Sequence, residues 1–359
     1  MRLLVNAAFN TRSKVGIARY IRSVIPPLAN LCEITVLTPD PVIFPLTCKT
    51  IRIPQWTRST HGRLFWTATL ALRLRLADYD ALLCMTPEVP VGNDTITVAV
   101  VHDLTPIVMR HFHRTREKAL FWFGLKTLRY ANAIITDSQN TKMDLTSRFA
   151  IVRPQSISVV HAGPSTTGSA PENGFASQYG SFLLCVGSHQ VHKNLTRVVS
   201  AFARLQTTNQ VKLVLVGGGH PADIARTKAA VDRKKLNDRV VMLEDVAEEN
   251  LSSLYRNCRV FICASLYEGF GMPVLEALTH GAPVACSMTS SLPEVAGSAA
   301  AYFNPESVAD ISSQVQRLLD DSQFSSELRV RGRQRAKLFS WEEAARSTAQ
   351  CLTRASTKR

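Results

Sequence analysis

Residues 260–278 read VFICASLYEGFGMPVLEAL. The opening four residues are all apolar, with no polar alternation, as in a parallel strand covered on both faces. Two glycines follow, and Pro273 fits the first turn of a helix. A strand, a glycine loop and a helix in that order direct backbone N–H groups at an anion. Glu268 on the loop and Glu276 on the helix's first turn flank that anion position. Carboxylates repel phosphate, so the two acids suit hydroxyls on either side of it. A sugar and a ribose joined by a diphosphate meet that layout.

Working outward, apolar runs rich in Val, Ile and Leu recur at 2–6, 34–37, 80–84, 97–101, 133–136, 157–160, 182–186, 212–216, 240–243 and 283–286. Helical patterns lie between many of them, among them 18–28, 193–205, 250–256 and 273–280. This alternation predicts an α/β protein with doubly wound parallel sheets. The stretch 162–180, AGPSTTGSAPENGFASQYG, is dense in Gly, Ser, Pro and Thr and marks a boundary. The predicted organisation is a Rossmann-like domain over 1–165, a second over 166–338, and a helix over 339–359 that crosses back to the first. Ser340 with Glu343 three residues on makes a capping box for that last helix. Ligands of open α/β sheets bind beyond the carboxyl ends of the strands, in this case in a cleft between the two halves.

Composition removes other classes. The chain is 45% apolar and 19% charged, too apolar for wholesale disorder. No run reaches the ~18 uncharged apolar residues of a spanning helix. The start, MRLLVNAAF, reads as a first strand and not a signal peptide, so the expected location is cytoplasmic. The eight cysteines are scattered without a C-x-x-C pair, which suggests neither a disulfide framework nor a zinc site. Residues 1–165 carry 20 Lys and Arg against 10 Asp and Glu, and the remainder 22 against 18. Such a basic half points to phosphates, on a nucleotide, a nucleic acid or an anionic membrane.

The string from Glu268 to Glu276 resembles the E-x7-E motif of retaining GT-B glycosyltransferases of family 4, glycosyl transferases group 1, which include bacterial mannosyltransferases. The resemblance spans nearly the whole chain and is strongest over 182–340. It implies a fold of two Rossmann-like domains facing a central cleft. Glu268 would hold the donor sugar's hydroxyls with the backbone of Gly269, Phe270 and Gly271, and Glu276 the ribose, with Met272 and Leu275 beside the nucleotide. Lys193 matches the family's phosphate-binding lysine. His192 stands where many members carry Arg, and Ser188 lies on the same loop. Gly16, after the first strand, would lie against the donor phosphates, with Arg12, Lys14 and Arg19 nearby. Val246, with Asp245, would sit near the nucleobase. His102 and Asp103 match the family's His-Asp-Leu segment close to the reacting sugar. Ser138 matches a Thr-x-Ser segment touching donor or acceptor, while N-capping of the following helix by Asn140 or a neighbour explains that stretch equally well. The resemblance implies retention at the anomeric carbon, with no metal and no cofactor. Hexose would pass from a nucleotide-sugar, GDP-mannose by analogy, to a glycan or lipid-linked acceptor.

Other readings are open to test. Gly217, Gly218 and Gly219 after a strand could begin a dinucleotide fingerprint, yet position 222 is Ala and Glu244 and Asp245 come too late for the ribose acid. We read the cluster as a structural turn. A nucleotide-sugar epimerase of the same fold would show no acceptor dependence, and a nucleic-acid-binding protein would show a steep salt slope. The arginines are dispersed with no nucleic-acid-binding signature, so nucleic acid is not expected as a partner. The aromatic and basic stretches 64–76 and 110–130 suit either an anionic membrane surface or the domain core.

Overall fold

The computed structural model describes residues 1–9, 16–45, 47–109, 115–149, 156–164, 174–207 and 210–357. The chain divides into two compact units: Met1–Gly163 with Phe339–Arg359, and Pro164–Leu338.

The described residues of the first unit hold seven strands: β1 (Arg2–Asn6), β2 (Glu33–Thr38), β3 (Lys49–Arg52), β4 (Ala81–Cys84), β5 (Ile96–Val101), β6 (Ala133–Thr136) and β7 (Ile157–Val159). Every pairing is parallel, in the order β3-β2-β1-β4-β5-β6-β7. Residues of β4, β5 and β6 are all buried, because helices cover both faces of a parallel sheet. Their Leu, Ile and Val side chains join the helix residues Trp66, Leu70, Leu125 and Leu145 in one core. The helix Trp341–Thr357 belongs to this unit. Ser340 accepts from Glu343 N at 3.0 Å to begin it, and Trp341 stands 5.4 Å edge-on from Tyr20 of the helix Gly16–Ala29.

The second unit holds β8 (Phe182–Val186), β9 (Lys212–Val216), β10 (Val240–Leu243), β11 (Val260–Cys263), β12 (Val284–Ser287) and β13 (Ala300–Phe303), again all parallel, in the order β10-β9-β8-β11-β12-β13. Gly217 closes β9 at φ +138, where a Cβ would stand 2.1 Å from the Gly187 carbonyl oxygen closing β8. Only glycine lets the two backbones approach so closely. The glycine cluster is therefore packed into a strand-end turn. All eight cysteines are free and buried.

Two strands lie outside the apolar runs, β3 and β13, each at the edge of its sheet. The helical pattern over 193–205 also shrinks. A 3-10 turn spans Val191–Lys193, and the helix proper runs Leu195–Phe202, because Asn194 sits at φ +61 between them. Residues 165–173 of the boundary stretch, like Arg12 and Lys14, lie outside the described residues. Its later part forms a 3-10 turn, Phe175–Tyr179, that buries Ala176 and Tyr179.

Candidate functional site

In the second unit, β11 delivers the loop of Ser265 and Glu268 to the helix Met272–Thr279. Gly271 is that helix's N-cap at φ +111, and a Cβ there would meet Leu292 Cδ2 at 2.8 Å. Glu268 accepts from Lys193 Nζ at 2.5 Å and from Ser265 Oγ at 2.6 Å, both on Oε1. Burial alone would raise its carboxyl. The charges of Lys193 and His192 and the two hydrogen bonds outweigh burial and hold it below the ordinary range, so it is ionised near neutrality. Lys193 is itself placed by its neighbour, since Asn194 Nδ2 donates to the carbonyls of Ala264 at 3.0 Å and Pro305 at 2.8 Å. This buried asparagine ties the lysine loop to the end of β11.

Glu276 is the fifth residue of its helix, one beyond the first turn, and it is buried. Tyr255, from the helix Glu248–Asn257, donates its hydroxyl to Glu276 Oε2 at 2.9 Å. The Tyr255 ring stacks on His280 at 5.6 Å. Burial, then the charge of Arg256, lowers the His280 pKa to about 4, so the imidazole beside Tyr255 is neutral. Sequence reasoning missed Tyr255, Ser290 and Ser291. Ser290 Oγ accepts from Glu268 N at 2.9 Å, and Ser291 Oγ donates to the carbonyls of Glu268 and Phe270 at 3.0 and 2.7 Å. The Ser-Thr-rich run 287–291 after β12 was the available signal. Phe270 and Leu275 are buried, Gly269 and Met272 half-buried. Ser188 donates to Gln190 on the loop after β8, and Val246 is half-buried between β10 and the next helix.

In the first unit, His102 follows β5. Its Nδ1 lies 2.8 Å from Asp137 Oδ2 and its Nε2 3.1 Å from the Met85 carbonyl. With an oxygen within reach of each nitrogen, the geometry suits a ring protonated at both, while burial raises the Asp137 carboxyl as well. Burial lowers its pKa, but the charge and hydrogen bond of Asp137 and the Met85 carbonyl outweigh that and raise it. Asp103 accepts from Thr105 N at 2.8 Å, turning the chain. Ser138 is buried and accepts from Thr141 N at 3.0 Å, so of the two explanations for this stretch the structure supplies the N-cap, two positions earlier than Asn140. Gly16 is exposed at the start of its helix, and among the described residues a Cβ there would meet nothing within 4 Å.

The strand, glycine loop and helix carrying two fixed carboxylates and a paired lysine match a known family. Residues 173–338 match the family described as Glycosyl transferases group 1, and residues 15–167 match Glycosyltransferase Family 4. The chain belongs to the family 4, group 1 glycosyltransferases. Among similar proteins, O-antigen chain mannosyltransferase B of Escherichia coli is 33% identical over 170 residues, covering 46% of this chain and 44% of that one. The MMP alpha-(1->4)-mannosyltransferase of Mycolicibacterium hassiacum is 29% identical over 237 residues, covering 63% and 56%. The chain thus spans about half the length of these relatives. Among solved structures, sucrose-phosphate synthase from Thermosynechococcus elongatus superposes with a TM-score of 0.80 at 19% identity, over 100% of both chains. The fold is GT-B.

Elsewhere, the chain splits its aromatic stretches between core and surface. Trp66, Leu70 and Leu125 are buried, whereas Phe65, Leu72, Trp122, Phe123 and Tyr130 are exposed. Lys126 stands 3.5 Å over the Trp122 ring. Residues 110–114 lie outside the described residues. Among the described residues, no helix is long and apolar enough to cross a membrane, and no group of three His, Cys, Asp or Glu side chains is placed to hold a metal.

Proposed function

We propose that the chain transfers a hexose from a nucleotide-sugar to a glycan or lipid-linked acceptor in polysaccharide or glycoconjugate biosynthesis, with retention and without a metal. One observation carries this reading: Glu268 and Glu276 are separately anchored carboxylates on the two sides of a helix N-terminus, with Lys193 beside the first. Glu268 accepts from the sugar's hydroxyls, with the backbone of Gly269, Phe270 and Gly271 alongside. Glu276, oriented by Tyr255, accepts from the ribose. The diphosphate takes Lys193 from Glu268, and the dipole of the helix Met272–Thr279 adds to that cation. Positive groups at the leaving oxygen supply the stabilisation a metal gives in other transferases. Ser188 and His192 line the phosphates, and Val246, Met272 and Leu275 the nucleoside. Negative charge builds on the departing phosphate, which takes the acceptor's proton on the face it leaves, giving retention. His102 acts as a fixed positive group and not as a base, and Asp103 and Ser138 hold the backbone around it. The names of the two relatives favour mannose, and GDP-mannose is the donor to try first.

The exposed Trp122, Phe123 and Tyr130, set among Lys126 and Arg129, support peripheral contact with an anionic membrane, where a lipid-linked acceptor resides. The test of function is a panel of nucleotide-sugars assayed for hydrolysis and transfer in the presence of EDTA, with the product anomer read by NMR. Turnover of GDP-mannose in EDTA with an α-linked product is expected. An inverted product, or no turnover of any nucleotide-sugar, would overturn the reading.

A further inference from the structure

In the second unit, the helix Met272–Thr279 gives way to His280 and Gly281, and arginines gather around that end. Gly281 takes φ +72, and a Cβ there would stand 2.6 Å from Nε and Nη2 of Arg333, so this guanidinium lies against bare backbone. Arg329 Nη1 donates to the Gly281 carbonyl at 2.8 Å. Arg329 and Arg333 stand four apart on the helix Ser322–Ala336, hence on one face of it. Arg259, just past the helix Glu248–Asn257, acts on Arg329 by its charge, and Arg256, in the last turn of that helix, acts on His280. Arg259 and Arg333 are exposed, while Arg256 and Arg329 are half-buried.

Among the described residues, none of Arg259, Arg329 and Arg333 forms an ion pair. The charges that act on Arg329 are those of Arg333 and Arg259, both repulsive, beside a Cys258 thiol that burial keeps neutral. The acids nearest in sequence are engaged elsewhere: Asp320 accepts from Gln316, Asp321 from Phe324 N, and Glu327 pairs with Arg331. A helix C-terminus attracts a cation, and Arg329 supplies it. Arg335 does the same for the helix Leu292–Ala296, donating to the carbonyls of Val295 and Glu294. Arg259 and Arg333 exceed that need. Arg333 makes no hydrogen bond among the described residues, and like charges four apart on a helix destabilise it.

Like charges held together without counter-charges attract an anion. Guanidinium is the cation whose planar fork meets phosphate oxygens in pairs, and several of them favour a ligand with more than one negative charge over a single carboxylate. Two of these forks meet at one residue instead of lining a face, which fits a small ligand and not a lipid surface. The eight residues of the helix Met272–Thr279 put roughly 12 Å between this place and the loop of Glu268.

We propose that Arg256, Arg259, Arg329 and Arg333 form a second anion site, for the phosphate group of a small soluble ligand, at the far end of the helix that begins beside Glu268. Binding there does not depend on the transferase reading.

The test is calorimetry of the full chain with inorganic pyrophosphate at fixed ionic strength. Pyrophosphate also suits Lys193, so Lys193→Met is compared with the same variant carrying Arg259→Gln and Arg333→Gln. Lys193→Met is expected to keep one pyrophosphate per chain, and the added substitutions to weaken it about tenfold or more. Should Lys193→Met fail to fold, wild type is compared with the double arginine variant, which is expected to bind one pyrophosphate fewer. In chloride buffer without phosphate, the double arginine variant is expected to melt above wild type, because two repelling charges are gone. Sedimentation with phosphatidylglycerol vesicles is expected to be the same for these two proteins. Lys193→Met that binds no pyrophosphate, or arginine substitutions that leave its binding unchanged, would overturn the proposal. A double variant that melts below wild type, or that loses vesicle binding and keeps pyrophosphate, would overturn it too. If Lys193→Met binds as many pyrophosphates as wild type, the role given to Lys193 fails instead, and the arginine comparison still decides this site.

Discussion

Lys193 and Glu268 hold one another at 2.5 Å, which sets the ionisation of the site. Removing the lysine leaves a buried carboxylate whose environment then favours protonation. For Lys193→Met, turnover is expected to fall roughly 10²–10³-fold, the usual cost of losing one preorganised donor to developing charge. The acid limb of its pH profile should move to higher pH, and an unmoved limb would show that Lys193 does not govern Glu268. The stability signs differ between the two proteins. In wild type the depressed carboxyl contributes stability above its unfolded value, about 4.3, and that contribution is lost as pH falls through the folded value. In the variant, burial makes ionisation unfavourable instead, so stability should decline as pH rises past that range. Tyr255 is the matching test at Glu276. Tyr255→Phe deletes one buried hydrogen bond to a charged group, expected to cost about 1.5–3 kcal/mol of stability. Calorimetry of that variant should show weaker GDP binding, whereas unchanged affinity would mean that Tyr255 does not position the ribose acid. Glu268 and Glu276 were legible from their spacing around the glycines. Tyr255 was not, because a tyrosine on an amphipathic helix is ordinarily core and nothing local links it to an acid 21 residues away.

At the scale of elements, the pair His102 and Asp137 joins the ends of β5 and β6, with Met85 after β4 and the Tyr20 ring 4.8 Å away edge-on. The charges facing this imidazole are Asp137 and Asp103, and His161 lies near Asp137. Because the folded pKa of His102 is raised, its contribution to stability is complete below about 6.5 and is lost as pH rises through the folded value. For Asp137→Asn, the loss in melting temperature should be greatest at pH 5 and shrink towards pH 9. A gap independent of pH would contradict the charged pair. Central strands were legible as apolar runs because helices bury both their faces. The edge strands were not. β3, Lys49-Thr-Ile-Arg52, has exposed ends and polar residues suited to an unpaired edge, and β13 opens on alanines, which are poor strand formers. The helix start at Leu195 was misplaced for a different reason. Asn194 takes the left-handed conformation to reach two distant carbonyls, a tertiary demand invisible in local pattern.

At the scale of the whole molecule, the α/β alternation could be read from the chain, and two family matches cover residues 15–167 and 173–338. The net charge of +14 could be counted, but its use depends on which aromatic residues reach the surface. Periodicity left Trp66 and Trp122 equivalent, and packing put the first in the core and the second outside. The exposed Trp122 and Phe123 beside Lys126 are expected to bring the protein to vesicles containing phosphatidylglycerol, with binding reduced by salt, and not to pure phosphatidylcholine vesicles. Trp122→Ala with Phe123→Ala should weaken sedimentation with the anionic vesicles, and equal binding to both lipids would contradict an electrostatic membrane face. The central claim is that Glu276 and Lys193 receive the two ends of a nucleoside diphosphate. A crystal structure of the protein soaked with GDP tests this most directly. The expected result has a ribose hydroxyl within hydrogen-bond distance of the Glu276 carboxylate and the diphosphate at Lys193 and the start of the helix Met272–Thr279. GDP bound elsewhere, with Glu276 still held by Tyr255 and touching no ligand, would contradict it.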